Sequence, residues 1–237
     1  MYFTLLNAVK ALLSFETKGR DEEARKIRGE DHSYIRLNIA DRAACPGLNA
    51  LANQGYYGKN ITLPRLEAAL MTALHMSGTV GHALANTLKP VLREDGTFDL
   101  ADSRKHNVVE HGRSLTRLDF RQGDNYTLQP HMLQAMIDDP EGGLVTLKTL
   151  AKTYIRRKKE HKETGGPPLG LRLWFVNLLI TVGFINAEAS GHPSSQQLTT
   201  FYTEERLEDY ILENPEPGTL HGLGWKAMIL LWHVNFG

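Results

Sequence analysis

Arg42-Ala-Ala-Cys45-Pro46-Gly-Leu48-Asn49-Ala-Leu51-Ala-Asn53-Gln54-Gly55-Tyr56 is the stretch on which the reading of this chain turns. Pro46 directly follows the cysteine, and proline suits the first helical position because its missing N–H has no partner there anyway. Leu48, Ala50, Leu51 and Ala52 can then form a short helix that Gly55 ends. This places Cys45 at the mouth of a helix, where free backbone N–H groups favour thiolate over thiol and lower the pKa from about 8.5. A stabilised thiolate is a nucleophile or a metal ligand. A lone cysteine can equally be an inert buried residue, and the spacing alone leaves these alternatives open.

The 237 residues fit one domain, and 41% hydrophobic content suffices for a real core. Lys plus Arg equal Asp plus Glu at 27 each, so no excess charge calls for a nucleic-acid partner. The 10 histidines form no His/Cys cluster at zinc spacing. A single cysteine excludes an intramolecular disulfide. Met1 to Phe15 reads as an amphipathic helix with Lys10 inside its apolar stretch rather than a signal peptide, which favours an intracellular residence and leaves secretion open. The tail Trp225 to Phe236 is apolar but shorter than the roughly 20 residues of a membrane span. It reads as a core helix or an interfacial anchor. Asn60-Ile-Thr62 and Asn125-Tyr-Thr127 match the glycosylation sequon.

Elsewhere the periodicity is helical. Residues 17–41 are charged and read as an extended or loosely ordered arm, so that residues 1–40 form an N-terminal helix and arm and 41–237 the main domain. Thr62 caps a helix carrying Leu66, Ala69, Leu70, Ala73 and Leu74, which Gly78 breaks. A second helix runs from Val80 toward Leu92 and kinks near Pro90. Residues 93–129 read as loop. Helices follow from Pro130 to Asp138 and through Leu147 to Ile155, the latter ending in a basic run, Arg156 to Lys162, read as a solvated face. Leu169 to Ile185 is apolar nearly all round and marks a central buried helix. Residues 186–197 form a loop, and two helices close the chain. No segment alternates convincingly as a strand. The expected class is therefore all-α.

Cys45-Pro46-Gly47-Leu48-Asn49-Ala50-Leu51-Ala52-Asn53-Gln54-Gly55-Tyr56 closely resembles the proximal haem segment of fungal chloroperoxidases and unspecific peroxygenases, with Ala44 and Gln54 in place of that family's proline and histidine. Glu110-His111-Gly112-Arg113-Ser114 with Arg117-Leu118-Asp119 resembles its Glu-His-Asp-x-Ser and Arg-x-Asp element. Phe201-Tyr202-Thr203-Glu204-Glu205-Arg206-Leu207 before Gly224-Trp225 resembles a third element, and the three stand in family order. The resemblance implies a helical bundle enclosing haem b, with Cys45 as axial iron ligand and Pro46, Leu48 and Asn49 in the cofactor segment. It implies Mg²⁺ or Mn²⁺ near the haem propionates, held by Glu110, the His111 carbonyl and the Ser114 hydroxyl; oxygen-only ligation suits such hard cations.

The resemblance further implies hydrogen peroxide as oxidant and small hydrophobic molecules, or halide, as substrates. A distal acid–base must handle the proton. The family places a glutamate near the start of the central apolar helix, where this chain reads Gly165-Gly-Pro-Pro-Leu-Gly-Leu-Arg-Leu-Trp-Phe175 without an acid. The candidates are Glu163, just upstream, and His111. Phe98, Phe120, Trp174 and Phe175 are candidates for a substrate channel, each with a core role as the alternative. His75, His82 and His106 read as structural. Two other readings stand: a haem-binding or specialised biosynthetic protein with little turnover, and a helical membrane-associated interaction module with an inert Cys45. A peripheral membrane contact and a homodimer stay open.

Overall fold

The protein is described here from a computed structural model covering residues 17–140, 143–187, 192–214 and 218–237. Among the described residues the chain forms ten α-helices: α1 Thr17–Ile27, α2 Pro46–Asn53, α3 Leu63–Ala73, α4 Gly78–Asn86, α5 Pro130–Asp138, α6 Leu147–Glu163, α7 Leu171–Ala187, α8 Ser195–Glu204, α9 Asp209–Leu212 and α10 Leu220–Phe236. A single two-residue antiparallel pair joins β1 (Ile61–Thr62) to β2 (Thr97–Phe98). The fold of the described residues is thus all-α. The expected helix over Met1 to Phe15, and part of the expected 186–197 loop, lie outside the described residues.

Local chemistry explains the helix starts. Thr62, Thr146, Ser194 and Thr219 are N-caps whose hydroxyls accept from the backbone N–H three residues on, satisfying donors that the helix leaves unpaired. Pro46, Pro64 and Pro130 occupy first turns. The helices pack in two groups. α3 carries α1 and α4, while α10 packs on both α6 and α7; α2 meets α8 between these groups.

Several expectations need correction. The first part of the 17–41 stretch is no loose arm: Thr17–Ile27 is helical and packs on α3, with Ile27 fully buried, whereas residues 31–38 have no regular structure. The charges of this helix are spent on pairs, Arg20 with Glu67 at 3.1 Å and Lys26 with Glu22 and Glu23, which lets a sequence poor in apolar residues dock. Gly78 opens α4 rather than merely ending α3; the turn between them is made by His75 in the left-handed region at φ 49°. The second helix ends at Asn86, and Pro90 lies in a separate 3-10 turn, Lys89–Val91. Residues 93–129 contain β2 and two 3-10 turns, Leu100–Arg104 and Phe120–Gln122. α7 is not buried all round, since Leu171, Phe175 and Ile180 are exposed. Three helices, α8 to α10, close the chain rather than two. The basic run of α6 is not wholly solvated either, because Arg157 is buried.

Candidate active site

Cys45 is the N-cap of α2, with Pro46 next in line as the sequence requires. The cap is fixed from behind. Asn49 receives the Ala43 N–H on Oδ1 (2.6 Å) and donates Nδ2 to the Ala43 carbonyl (3.1 Å) and to Glu205 Oε1 (2.8 Å). Asn53 donates to the Glu205 carbonyl at 2.9 Å, and Gln54 exchanges two bonds with the Leu207 backbone at 3.1 and 2.7 Å. Glu205 itself sits in the left-handed region at φ 53°, beyond α8. Its carboxylate also accepts from Arg117 at 2.8 Å, with both side chains buried. The three sequence elements are therefore one bonded unit, and Glu205 is its hub. Gly55, at φ 71°, is required where it stands, because a Cβ there would lie 2.7 Å from the Asp31 carbonyl oxygen.

In front of Cys45 lies a small cavity of about 70 Å³. Its wall includes Cys45, Pro46, Glu110, His111, Ser114 and Asn177. Val109, Leu115, Leu118 and Ile180 supply apolar surface. The structure thus brings Cys45 and Pro46 together with Glu110, His111 and Ser114. Leu48 and Asn49 do not join them: both are buried behind the cap, where the Leu48 carbonyl accepts from Tyr57 Oη at 2.8 Å. Glu163 is also absent from the cavity wall. It ends α6 with 60% of its side chain exposed, 3.8 Å from Lys159.

Burial dominates the electrostatics of the site. Burial pushes the Cys45 thiol up, against the opposing pull of the Leu48 and Gly47 amides and of Arg117. The expected lowering by the helix mouth is therefore outweighed in the protein alone, because desolvation of the charged form exceeds the pull of the first turn. Burial likewise pulls His111 down, which keeps its ring neutral near pH 7. Tyr202, in the same wall, is pushed up to about 12 by burial. His111 Nδ1 lies 2.9 Å from the Gly112 carbonyl, and only a protonated Nδ1 can donate to it, so Nε2 is the nitrogen left to accept. Glu110 Oε2 meets His106 Nδ1 at 2.6 Å, while its Oε1 is buried with no hydrogen-bond partner. Asn177 Oδ1 is also buried without a partner, although Asn177 Nδ2 approaches His111 Nδ1 at 3.4 Å.

Asn177 was not a candidate from sequence, because an amide inside an apolar helix gives no signal until the fold turns it toward the cavity. Arg157 and His161 escaped notice inside a basic run. Arg157 donates Nε to the Ser114 carbonyl at 2.6 Å. His161 pairs Nδ1 with Asp119 Oδ2 and places Nε2 2.8 Å from the Pro167 carbonyl. The ring lies so close to two glycines that a Cβ on Gly112 or Gly166 would meet its Cε1 at 2.5 or 2.3 Å. A second cavity, of about 150 Å³, borders this histidine and shares the 106–112 loop through His106, Asn107 and Gly112. Of the aromatic candidates, Phe120 lines that second cavity and Phe98 is fully buried in the core. Trp174 packs against the core, and Phe175 is exposed. His75 bonds the Leu212 carbonyl and His82 bonds Glu67, as structural residues do. Asn125 of the second sequon is buried in the cavity wall, unlike the exposed Asn60.

The helical fold thus presents one cysteine at a helix mouth, before a mostly apolar cavity walled by a histidine whose charged form burial disfavours. The profile of peroxidase family 2 matches residues 32–226, most of the chain, and the chain belongs to that family. The match opens inside the stretch assigned from sequence to an N-terminal arm. No curated protein matches the chain. Membership brings peroxidase chemistry and a haem or metal cofactor.

Proposed function

We propose that the protein is a haem-thiolate peroxidase or peroxygenase that uses hydrogen peroxide on small hydrophobic molecules, with Cys45 as axial ligand of haem b. The observation that carries this reading is the convergence of Cys45, Glu110, His111 and Ser114 on one cavity with apolar walls. The residues fit the group. A half-buried thiol whose charged form is disfavoured by desolvation gains a charge partner in iron, and the apolar wall suits a porphyrin face. The partnerless Glu110 Oε1 calls for a cation, since a buried carboxylate oxygen is costly without one. Among the described residues no three His, Cys, Asp or Glu side chains could hold a metal together. A Mg²⁺ or Mn²⁺ there would take Glu110, the His111 carbonyl and the Ser114 hydroxyl.

When bound, a thiolate-held haem supplies peroxide activation. The chain's residues do the rest. Asn49 and Glu205 hold the Cys45 cap in place, and Val109, Leu115, Leu118 and Ile180 exclude water and favour an apolar substrate. His111, neutral and anchored through Nδ1, accepts and returns a proton at Nε2.

One observation favours a second reading, a haem-binding protein with little peroxygenase turnover. The only acid in the cavity wall among the described residues is Glu110, already engaged by His106, and Asn177 stands beside His111 without a proton to exchange. The first experiment is the spectrum of haem-loaded protein, reduced and under carbon monoxide. A Soret band near roughly 450 nm, lost in Cys45→Ala, is the expected result for thiolate ligation. A colourless protein overturns both readings, and a haem spectrum unchanged in the variant overturns Cys45 as the iron ligand. Peroxide-driven oxygenation of an apolar probe then separates them: turnover that His111→Ala abolishes supports the first, and a thiolate spectrum without turnover supports the second.

A further inference from the structure

α10 packs its inner side on α6 and α7, burying Leu223, Ala227 and Leu230. Its outer side carries Trp225, Met228, Trp232 and Phe236, exposed by 57, 56, 56 and 77%. Their spacing of i, i+3, i+7 and i+11 sets them on one stripe of the helix. An apolar stripe of this width on a solvent face marks an interaction site. Much of it, Met228 to Phe236, lies beyond the family match, which ends at residue 226.

The charge around the stripe selects its partner. Neither α7 nor α10 contains an Asp or Glu, and their formal charges are Arg172 and Lys226. α6, packed on α10, exposes Lys148, Lys152, Ile155, Lys159 and Lys162 at i, i+4, i+7, i+11 and i+14, again one stripe. The acids on α6 are Glu160, paired with Arg157, and Glu163, beside Lys159. A chain with no net charge has thus gathered a basic surplus on the helix adjoining its aromatic stripe. A second copy on the same surface would set this surplus against itself, at a cost in like-charge repulsion. An anionic bilayer accepts both features. Tryptophan and phenylalanine settle at the headgroup–acyl boundary, and lysines near the surface are attracted to anionic lipid. No helix among the described residues is long and apolar enough to cross a membrane, so the contact is parallel to the surface.

We propose that the outer stripe of α10, with the lysines of α6, docks the protein on the surface of an anionic phospholipid membrane. This places α7, which lines the Cys45 cavity with Asn177, Ile180 and Thr181, close to a reservoir of apolar molecules.

The test is co-flotation of the full chain with phosphatidylcholine vesicles and with phosphatidylcholine–phosphatidylserine vesicles. The expected result is binding to the second, weakened at least about tenfold by Trp225→Ser/Trp232→Ser, since two aromatic anchors are lost. Binding should also weaken in salt of about 0.5 M, which screens the lysines. Both substituted residues are exposed, and an unchanged circular dichroism melt verifies the fold. No flotation with anionic vesicles overturns the proposal. So does binding that the paired variant retains, which would assign it to another part of the chain. A dimer by light scattering that the same variant dissociates, without flotation of wild type, makes a second copy the occupant instead. None of these outcomes depends on haem, so the proposed function stands or falls separately.

Discussion

Gly112 stands where the resembling family carries an aspartate, and the structure supplies a reason. The His161 ring fills the space that a side chain at 112 would need, and Asp119 and the Pro167 carbonyl hold that ring in place. Gly112→Ala should destabilise by about 1–3 kcal/mol through overpacking, read as a lower thermal midpoint. Combining it with His161→Ala should recover much of the loss, because the obstructing ring is gone; an additive loss in the double variant would reject this account. Arg117 and Glu205 bear a different load. Replacing Arg117 with methionine strands a buried carboxylate and should cost about 3–5 kcal/mol. Chemical denaturation measures it directly, and a change under about 1 kcal/mol would show the pair to be dispensable. The helix start was legible in the sequence, with Cys45 at the cap and Pro46 in the first turn. What Asn49, Asn53 and Gln54 bond to was not, because their partners, Glu205 and Leu207, lie at the far end of the chain.

At the level of elements, capping and apolar spacing predicted α3 well. Thr62 caps it as expected, accepting from the Arg65 N–H at 3.3 Å, and Leu66, Ala69, Leu70 and Ala73 are buried. Thr62→Ala should therefore cost about 1 kcal/mol by thermal melting, with no effect on the cavity. α1 was misread because a helix with negative mean hydropathy gives no apolar stripe; ion pairs with α3 and its neighbours dock it. The Arg156–Lys162 run of α6 reads from its charges as a solvated face, yet Arg157 and His161 within it are buried. Charged side chains can face inward where carbonyls and carboxylates await them, and such partners are invisible to a periodicity argument. α7 misled in the opposite sense. Its uniform apolar character suggested full burial, whereas part of it lines a cavity and part meets solvent.

For the whole molecule, acid sensitivity follows from carboxylates held below their ordinary range. Arg65 hydrogen-bonds Glu30 and holds it down, and Arg93 does the same for Asp99. A carboxylate with a depressed folded pKa contributes stability above its unfolded value. That contribution disappears as pH falls through the folded value. The unfolded values lie near 4, so the melting temperature should hold at mildly acidic pH and drop below about pH 4. Arg65→Met with Arg93→Met should flatten that drop, and an unaltered acid limb in the double variant would place its origin elsewhere. The all-α class and the family were thus readable from the sequence. The hub that binds the three sequence elements needed the fold, because it is built from long-range hydrogen bonds.

Glu205 receives Asn49 and Arg117 on its carboxylate, and Asn53 on its carbonyl. Translation releases the thiol segment long before this glutamate leaves the ribosome. The cap around Cys45 is consequently finished late in synthesis, after α8 has been made. A nascent chain exposes its cysteine helix unbraced, and any group that binds there is captured after translation, by a polypeptide already closed by its own distal third.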